Sequence, residues 1–206
     1  MISRRTTLGL AAGALAATAV RPARAASDPI IVNALGGLIN PNRAIGRTGP
    51  PPPMEADFDA RSIADAKASG LTAVNTTLGY VFGPGDPYAV TIESLDTWDA
   101  IRAAHPQDLT LITKAADFAR AKADGKVGLI YGFQNAVQVG EHLERVDEFA
   151  ARGVRVIQLT YNLENLLGDG AMAPANRGLT ELGRKVVAKL NAARVMVDLS
   201  HSGERT

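Results

Sequence analysis

The chain has 206 residues, of which 46% are hydrophobic, 21% are charged and 5% are aromatic, and its formal net charge is +1. This apolar fraction is ordinary for a globular protein and argues against a disordered or low-complexity chain. The near-neutral charge gives no electrostatic signature of nucleic-acid binding. Because the chain has no cysteine, disulfide frameworks, zinc fingers, iron–sulfur clusters and thiol nucleophiles are excluded.

The first 25 residues are predicted to be a twin-arginine signal peptide. Residues 3–8 (SRRTTL) carry the two arginines, residues 8–20 are apolar, and residues 23–25 (ARA) fit a cleavage site between small residues. The apolar stretch is too short for a stable membrane span. We therefore expect export to the periplasm or cell envelope. The mature chain, residues 26–206, would keep 18 basic and 21 acidic residues, a net charge of −3, which further disfavours nucleic acid as a partner.

One local pattern recurs along the mature chain. An Ala-rich amphipathic segment ends in a glycine, at Gly70, Gly125 and Gly153, and a β-branched run follows within one or two residues. Glycine accepts the left-handed conformation that closes a helix, so the pattern predicts the helix-to-strand half of a βαβ unit. The strands read as continuous apolar runs, which is typical of a parallel sheet covered by helices.

This pattern predicts an α/β fold in which strands and helices alternate. Strands are expected near residues 30–35, 71–77, 127–133, 154–160 and 195–200, with a short additional strand near 109–112. Helices are expected near residues 59–69, 93–104, 114–124, 141–152 and 180–193, the last with Thr180 as its N-cap. Five main units match either a doubly wound open sheet or part of a (β/α)₈ barrel.

Two Pro- and Gly-rich segments, residues 40–53 and 83–87, follow the first two main strands. In a β/α barrel the loops on this side of the sheet carry the active site, so both segments are candidates for lining a pocket. The alternative is that they are ordinary surface loops.

The last third of the chain carries two motifs that belong together. Residues 178–187 (GLTELGRKVV) lead into a helix, and residues 197–202 (VDLSHS) follow it. Together they resemble the membrane (renal-type) dipeptidases of peptidase family M19, and residues 125–132 and 153–162 keep the order and spacing of that family. The resemblance is strong over residues 110–206 and thinner over residues 28–110.

The resemblance implies a metal-dependent hydrolase of the (β/α)₈ TIM-barrel type, incomplete here, with about five β/α units and residues 26–206 as its N-terminal part. It also implies two zinc ions at the carboxyl ends of the strands and the hydrolysis of dipeptides, the small peptide substrates of the family. Two cations that share a water lower its pKa and polarise the scissile carbonyl. Such a site needs His and Asp or Glu ligands at strand ends.

Only one position matches a metal ligand of the family directly, and that is His201. Leu35 and Gly37 stand where the family has a His-x-Asp pair, and Gln134 stands in place of the bridging glutamate. Tyr161 replaces a His that contacts the substrate. We therefore predict His201 as a metal ligand and assign no catalytic residue.

Several polar residues follow strand ends and are expected to converge at one mouth: Asn33, Gln134, Asn135, Tyr161, Asn162 and His201. Gln134, Tyr161 and Asn162 are the candidate substrate-binding residues, because such groups hydrogen-bond a small amide or carboxylate without a metal. His105 and His142 are interpreted as solvated residues at helix ends. Asp169, between two glycines, either contacts an amine of the ligand or makes a turn, and the turn is favoured.

Three hypotheses remain open. The chain is an exported dipeptidase-like metallohydrolase, or a non-catalytic periplasmic binding protein for small peptides or amides, or an inactive truncated product. An unclosed barrel would leave two exposed strand edges, which favours aggregation or a homodimer.

Overall fold

The computed structural model describes residues 29–48 and 52–206. The predicted signal peptide, residues 1–25, lies outside them. Six strands occur in the described part of the chain: β1 (Val32–Gly36), β2 (Ala73–Leu78), β3 (Leu109–Leu111), β4 (Val127–Phe133), β5 (Val154–Gln158) and β6 (Met196–Asp198). Five α-helices occur there: α1 (Ala60–Ala68), α2 (Pro87–Ala104), α3 (Ala115–Ala123), α4 (Glu144–Ala151) and α5 (Glu181–Ala192).

All strand pairs within the sheet are parallel, which confirms the predicted α/β class. The order is β1-β2-β4-β5-β6, and β3 pairs with β4 outside this path. Strand β2 occupies one edge of β4 over nearly its full length. On the other edge β3 pairs with residues 127–129 and β5 with residues 131–133. The sheet forms a half-barrel whose carboxyl strand ends lie on one side.

The helices are divided between the two faces of the sheet. The main core contains buried side chains of α1, α2, α4 and α5 together with the outward-facing residues of β4. Within it Phe149 of α4 contacts Phe133 of β4 edge to face, with a centroid distance of 5.0 Å. Helix α3 packs on the opposite face, where Phe118 and Ala121 join a second cluster with Ile130. The interior face of the half-barrel is therefore partly filled by a helix.

The predicted helix ends differ from the observed ones at two places. Helix α2 begins at Pro87 instead of near residue 93, because the Asp86 side chain accepts a hydrogen bond from Ala89 N at 2.7 Å and proline fits the first helical position. Helix α4 begins at Glu144 instead of near residue 141, since Gly140 adopts a positive φ of 56° and a turn precedes the helix. None of the helices within the described residues is long and apolar enough to cross a membrane.

The motif before α5 has a direct structural explanation. Thr180 is the N-cap, as predicted, and its Oγ1 accepts a hydrogen bond from Gly183 N at 2.9 Å. The Thr180 hydroxyl also lies 2.7 Å from the carbonyl oxygen of Leu166. A Cβ at Gly183 would lie 2.1 Å from the carbonyl oxygen of Leu167. The glycine thus lets the first turn of α5 approach the backbone of the preceding loop.

Candidate functional site

Four loops, which follow β2, β4, β5 and β6, meet at the carboxyl side of the half-barrel. We call this region the mouth and define it by residues 79–86, 134–140, 159–180 and 199–206. Parallel strands bring their carboxyl ends to the same edge, so residues far apart in the sequence become neighbours there. This is where ligands bind in folds of this architecture.

A chain of amide hydrogen bonds ties three strand ends together. Gln158 is fully buried, and its Nε2 donates to the carbonyl oxygens of Gln134 at 2.9 Å and Thr160 at 2.7 Å. The Gln134 Nε2 in turn donates to Thr77 Oγ1 at 2.5 Å. The network fixes the backbone on both sides of the mouth, and it uses neutral groups only.

A second amide network anchors the long loop after β5. The Asn165 Nδ2 donates to Asn135 Oδ1 at 3.1 Å and to the carbonyl oxygen of Leu159 at 2.8 Å. The Asn135 Nδ2 donates to the carbonyl oxygen of Val81 at 2.9 Å. Because these bonds connect the loops after β2, β4 and β5, the shape of the mouth is held by side-chain amides.

Three aromatic rings from three loops stack in series above these networks. The ring of Tyr161 lies 4.5 Å from that of His201, with an interplanar angle of 27°. Phe82 stacks on Tyr161 at 5.8 Å and 16°. The His201 Nδ1 lies 2.7 Å from Asn162 Oδ1. A proton on Nδ1 donated to this amide oxygen would leave Nε2 of a neutral imidazole as an acceptor.

The backbone at this stack is also unusual. Asn162 and His201 adopt positive φ values of 60° and 59°. Asparagine and histidine are enriched among the few non-glycine residues in the left-handed region, and strain of this kind concentrates at functional sites. The loop conformation therefore places the two side chains in contact with each other.

Asp169 stabilises the long loop. Its side chain is 2% exposed and accepts hydrogen bonds from the backbone N–H of Arg177 at 2.5 Å and from its Nη2 at 2.8 Å. The Arg177 guanidinium lowers the pKa of the Asp169 carboxyl below its usual value. Asp169 itself is not part of a turn, and its carboxylate anchors the loop through Arg177.

Two further histidines lie away from the mouth networks. His105 caps the end of α2 and contacts Phe58 edge to face at 5.5 Å. His142 is exposed, and its Nδ1 lies 2.9 Å from Glu144 Oε1. Asn33, which was expected at the mouth, lies on the exposed strand β1 and accepts a hydrogen bond from Leu35 N at 3.2 Å.

The residues of the mouth do not fit the two-zinc site that the resemblance implies. No group of three His, Asp or Glu side chains able to hold a metal ion occurs in residues 29–48 and 52–206. A catalytic zinc normally takes three protein ligands and a water. The Nδ1 of His201 faces Asn162, and the amide of Gln134 is engaged with Thr77. The role of His201 as a metal ligand thus stays a prediction.

The structure brings three of the four predicted site residues, Tyr161, Asn162 and His201, into direct contact. Gln134 lies in the neighbouring amide network. Sequence reasoning missed Phe82 and Gln158 as parts of the mouth. The Gln158 position at a strand end was available as a signal, whereas nothing local to Phe82 indicated that it would stack on Tyr161.

Comparison with known proteins adds three findings. The family model of membrane dipeptidases (peptidase family M19) matches residues 63–206. The chain is similar to an uncharacterized dipeptidase of Schizosaccharomyces pombe, with 30% identity over 121 residues that cover 56% of this chain and 29% of that protein. It is also similar to the crystal structure of an amidohydrolase from Pseudomonas aeruginosa, with a TM-score of 0.71, 27% identity and coverage of 87% of this chain and 48% of the other.

A second solved structure shows the same fold. It is a metallo peptidase from Rhodobacter sphaeroides liganded with a phosphinate mimic of the dipeptide L-Ala-D-Ala, with a TM-score of 0.66, 21% identity and coverage of 85% of this chain and 60% of the other. The chain thus spans about half the length of the solved structures that it matches. These similarities confirm the predicted fold, an incomplete (β/α)₈ barrel.

Proposed function

Since the chain belongs to the membrane dipeptidase family, peptidase family M19, we propose that it acts on small peptides as an exported dipeptidase. The observation that carries the proposal is the mouth, where amide groups and an oriented histidine from four loops converge at the carboxyl ends of parallel strands. A relative described as a dipeptidase and a structural neighbour that holds a dipeptide mimic support dipeptides as the ligand class.

The side chains of the mouth suit the recognition of a peptide. Gln134 offers its Oε1 and Asn162 its Nδ2, because the other amide atoms are engaged with Thr77 and His201. The Nε2 of His201 offers an acceptor for an N–H group of the ligand. Polar groups at fixed positions orient a small ligand, while the surrounding apolar surface binds the rest of it. The proposed role of Gln134, Tyr161 and Asn162 is therefore to bind the peptide.

A metal-free binding protein for small peptides is the second candidate. It is favoured by the donor set, because the described residues supply no group of three metal-ligating side chains. If zinc is bound, it would act on water and the scissile carbonyl.

The twin-arginine pattern in residues 3–8 supports export, and a periplasmic location follows from such a signal. The measurement is the distribution of the full chain between periplasm and cytoplasm in a bacterial host. Replacement of Arg4 and Arg5 by lysine should retain the protein in the cytoplasm.

One experiment separates the two candidate functions. The purified full chain is analysed for zinc by elemental analysis, and a dipeptide panel is assayed with added zinc and with a chelator. Chelator-sensitive hydrolysis would support the dipeptidase. Dipeptide binding measured by calorimetry, without hydrolysis and without bound metal, would support the binding protein.

A pair of histidine variants tests the site itself. His201→Ala should weaken dipeptide binding about three- to ten-fold, the effect of one lost hydrogen bond. The matched control is His142→Ala, because His142 is also exposed and lies outside the mouth. Equal effects of the two substitutions would contradict a binding site at the mouth.

A further inference from the structure

Exposed large hydrophobic side chains occur in three of the loops that form the mouth. Five of the eleven such residues in the described part of the chain lie in the loops after β2, β5 and β6: Phe82, Leu163, Leu166, Met172 and Leu199. The surface of a soluble protein rarely carries grouped apolar side chains unless they bind a ligand or a partner. The mouth thus combines polar amides with apolar surface.

Phe82 is the aromatic member of this group, and it is 67% exposed. One face of its ring stacks on Tyr161, which in turn stacks on His201. Its loop is braced on both sides, because Asn135 Nδ2 donates to the Val81 carbonyl and the Tyr80 hydroxyl donates to the Gly83 carbonyl at 2.6 Å. The ring is therefore held in place with much of its surface open to solvent.

A fixed, open aromatic ring recognises flat apolar groups. Offset-stacked aromatic pairs gain about 0.5–1.5 kcal/mol beyond the burial of their area, and preorganisation reduces the entropic cost of binding. Asn135, which supports the Phe82 loop, belongs to the amide network of the same mouth. A peptide held by Asn162 and His201 would place a side chain close to the Phe82 ring, because His201 stacks on Tyr161 and Tyr161 stacks on Phe82.

We propose that Phe82, supported by Tyr161, forms a subsite for an apolar side chain of the bound peptide and gives the protein a preference for aromatic residues. This inference rests on the proposed function, since it names the substrate class of the same mouth. Phe82 selects the substrate by stacking and takes no part in bond cleavage.

The test compares two dipeptides that differ in one side chain. The full chain is titrated with Ala-Ala and with Ala-Phe by calorimetry in the presence of a chelator, so that hydrolysis does not consume the ligand. Wild-type protein should bind Ala-Phe about ten-fold more tightly. Phe82→Ala should remove this preference by weakening the binding of Ala-Phe more than that of Ala-Ala, and Phe82→Trp should retain the preference.

The matched control is Ile30→Ala. Ile30 is 51% exposed and precedes β1 at the opposite end of the sheet, so its removal should leave both affinities unchanged. Equal affinity of the wild type for both dipeptides, or an equal loss for both in Phe82→Ala, would overturn the inference while the proposed function stands. Binding of neither dipeptide, together with no hydrolysis of either when zinc is added in place of the chelator, would refute the proposed function and the inference with it.

Discussion

Gly132, on the interior face of β4, is the glycine whose replacement has the most specific predicted effect. The carboxamide of Asn75 lies over it, and a Cβ at residue 132 would be 2.0 Å from Asn75 Oδ1. Asn75 is 4% exposed, and its Nδ2 donates to the carbonyl oxygen of Ala34 at 2.8 Å. Gly132→Ala therefore forces the Asn75 side chain to move and breaks its link to β1.

The magnitude follows from two terms. Overpacking a close-packed interior costs about 1–3 kcal/mol, and loss of the hydrogen bond to Ala34 costs about 0.5–1.5 kcal/mol. Gly132→Ala should thus lower the free energy of unfolding by about 2–4 kcal/mol. In urea denaturation the midpoint should fall while the slope stays constant, since the surface exposed on unfolding is nearly the same.

Two further variants make the reasoning testable. Gly36→Ala is the matched control, because the atom nearest to its added Cβ is the amide nitrogen of Asn33, an exposed side chain that is free to turn away. It should cost less than about 1 kcal/mol. In the double variant Gly132→Ala/Asn75→Ala the clash is absent, so the two costs should not add. Additive costs would refute the proposed contact.

Two predictions concern the loop between β5 and α5. Asp169→Asn should destabilise the protein near neutral pH, because it removes the ionised carboxylate that Arg177 binds in the folded state. This interaction lowers the native pKa of Asp169, so its stabilisation is fully present above the unfolded pKa of about 3.9. This difference from wild type should shrink as the pH falls through the lowered native pKa, and a constant difference in urea denaturation from about pH 7 to about pH 2 would contradict it. Thr180→Ala should cost about 1 kcal/mol through loss of the N-cap bond to Gly183. Thr97→Ala, within α2, is the control and should cost less when both variants are compared with wild type by thermal denaturation.

The order of strands and helices was predictable because the signals are local. The glycines predicted to close helices, Gly70, Gly125 and Gly153, all have positive φ values, of 77°, 65° and 94°. The first turn of α2 was missed although Asp86 and Pro87 form an N-cap and a first helical residue, a pair that also occurs in turns. Local sequence therefore locates elements better than their ends.

The positions of β3 and α3 depend on contacts that a local pattern does not contain. The run from 109 to 112 suits a strand, but its sequence does not tell which edge of β4 it takes. The apolar side of α3, with Phe118 and Ala121, would pack equally well on either face of a sheet. At the mouth, too, some contacts were predictable from the sequence and others were not. Tyr161 and His201 were expected to meet because both follow parallel strands, whereas the Phe82 stack depends on loop conformation.

The glycines of β4 connect the position of α3 with the character of the mouth. In a complete barrel of this type the interior is filled by layers of large branched side chains. Here Gly128 leaves room for Ile112, which leads into α3, because a Cβ at Gly128 would lie 2.6 Å from that side chain. Gly132 leaves room for the carboxamide of Asn75. The amino-terminal half of β4 is thus covered by apolar groups and its carboxyl-terminal half by amides, so that the polar lining of the mouth begins within the sheet itself.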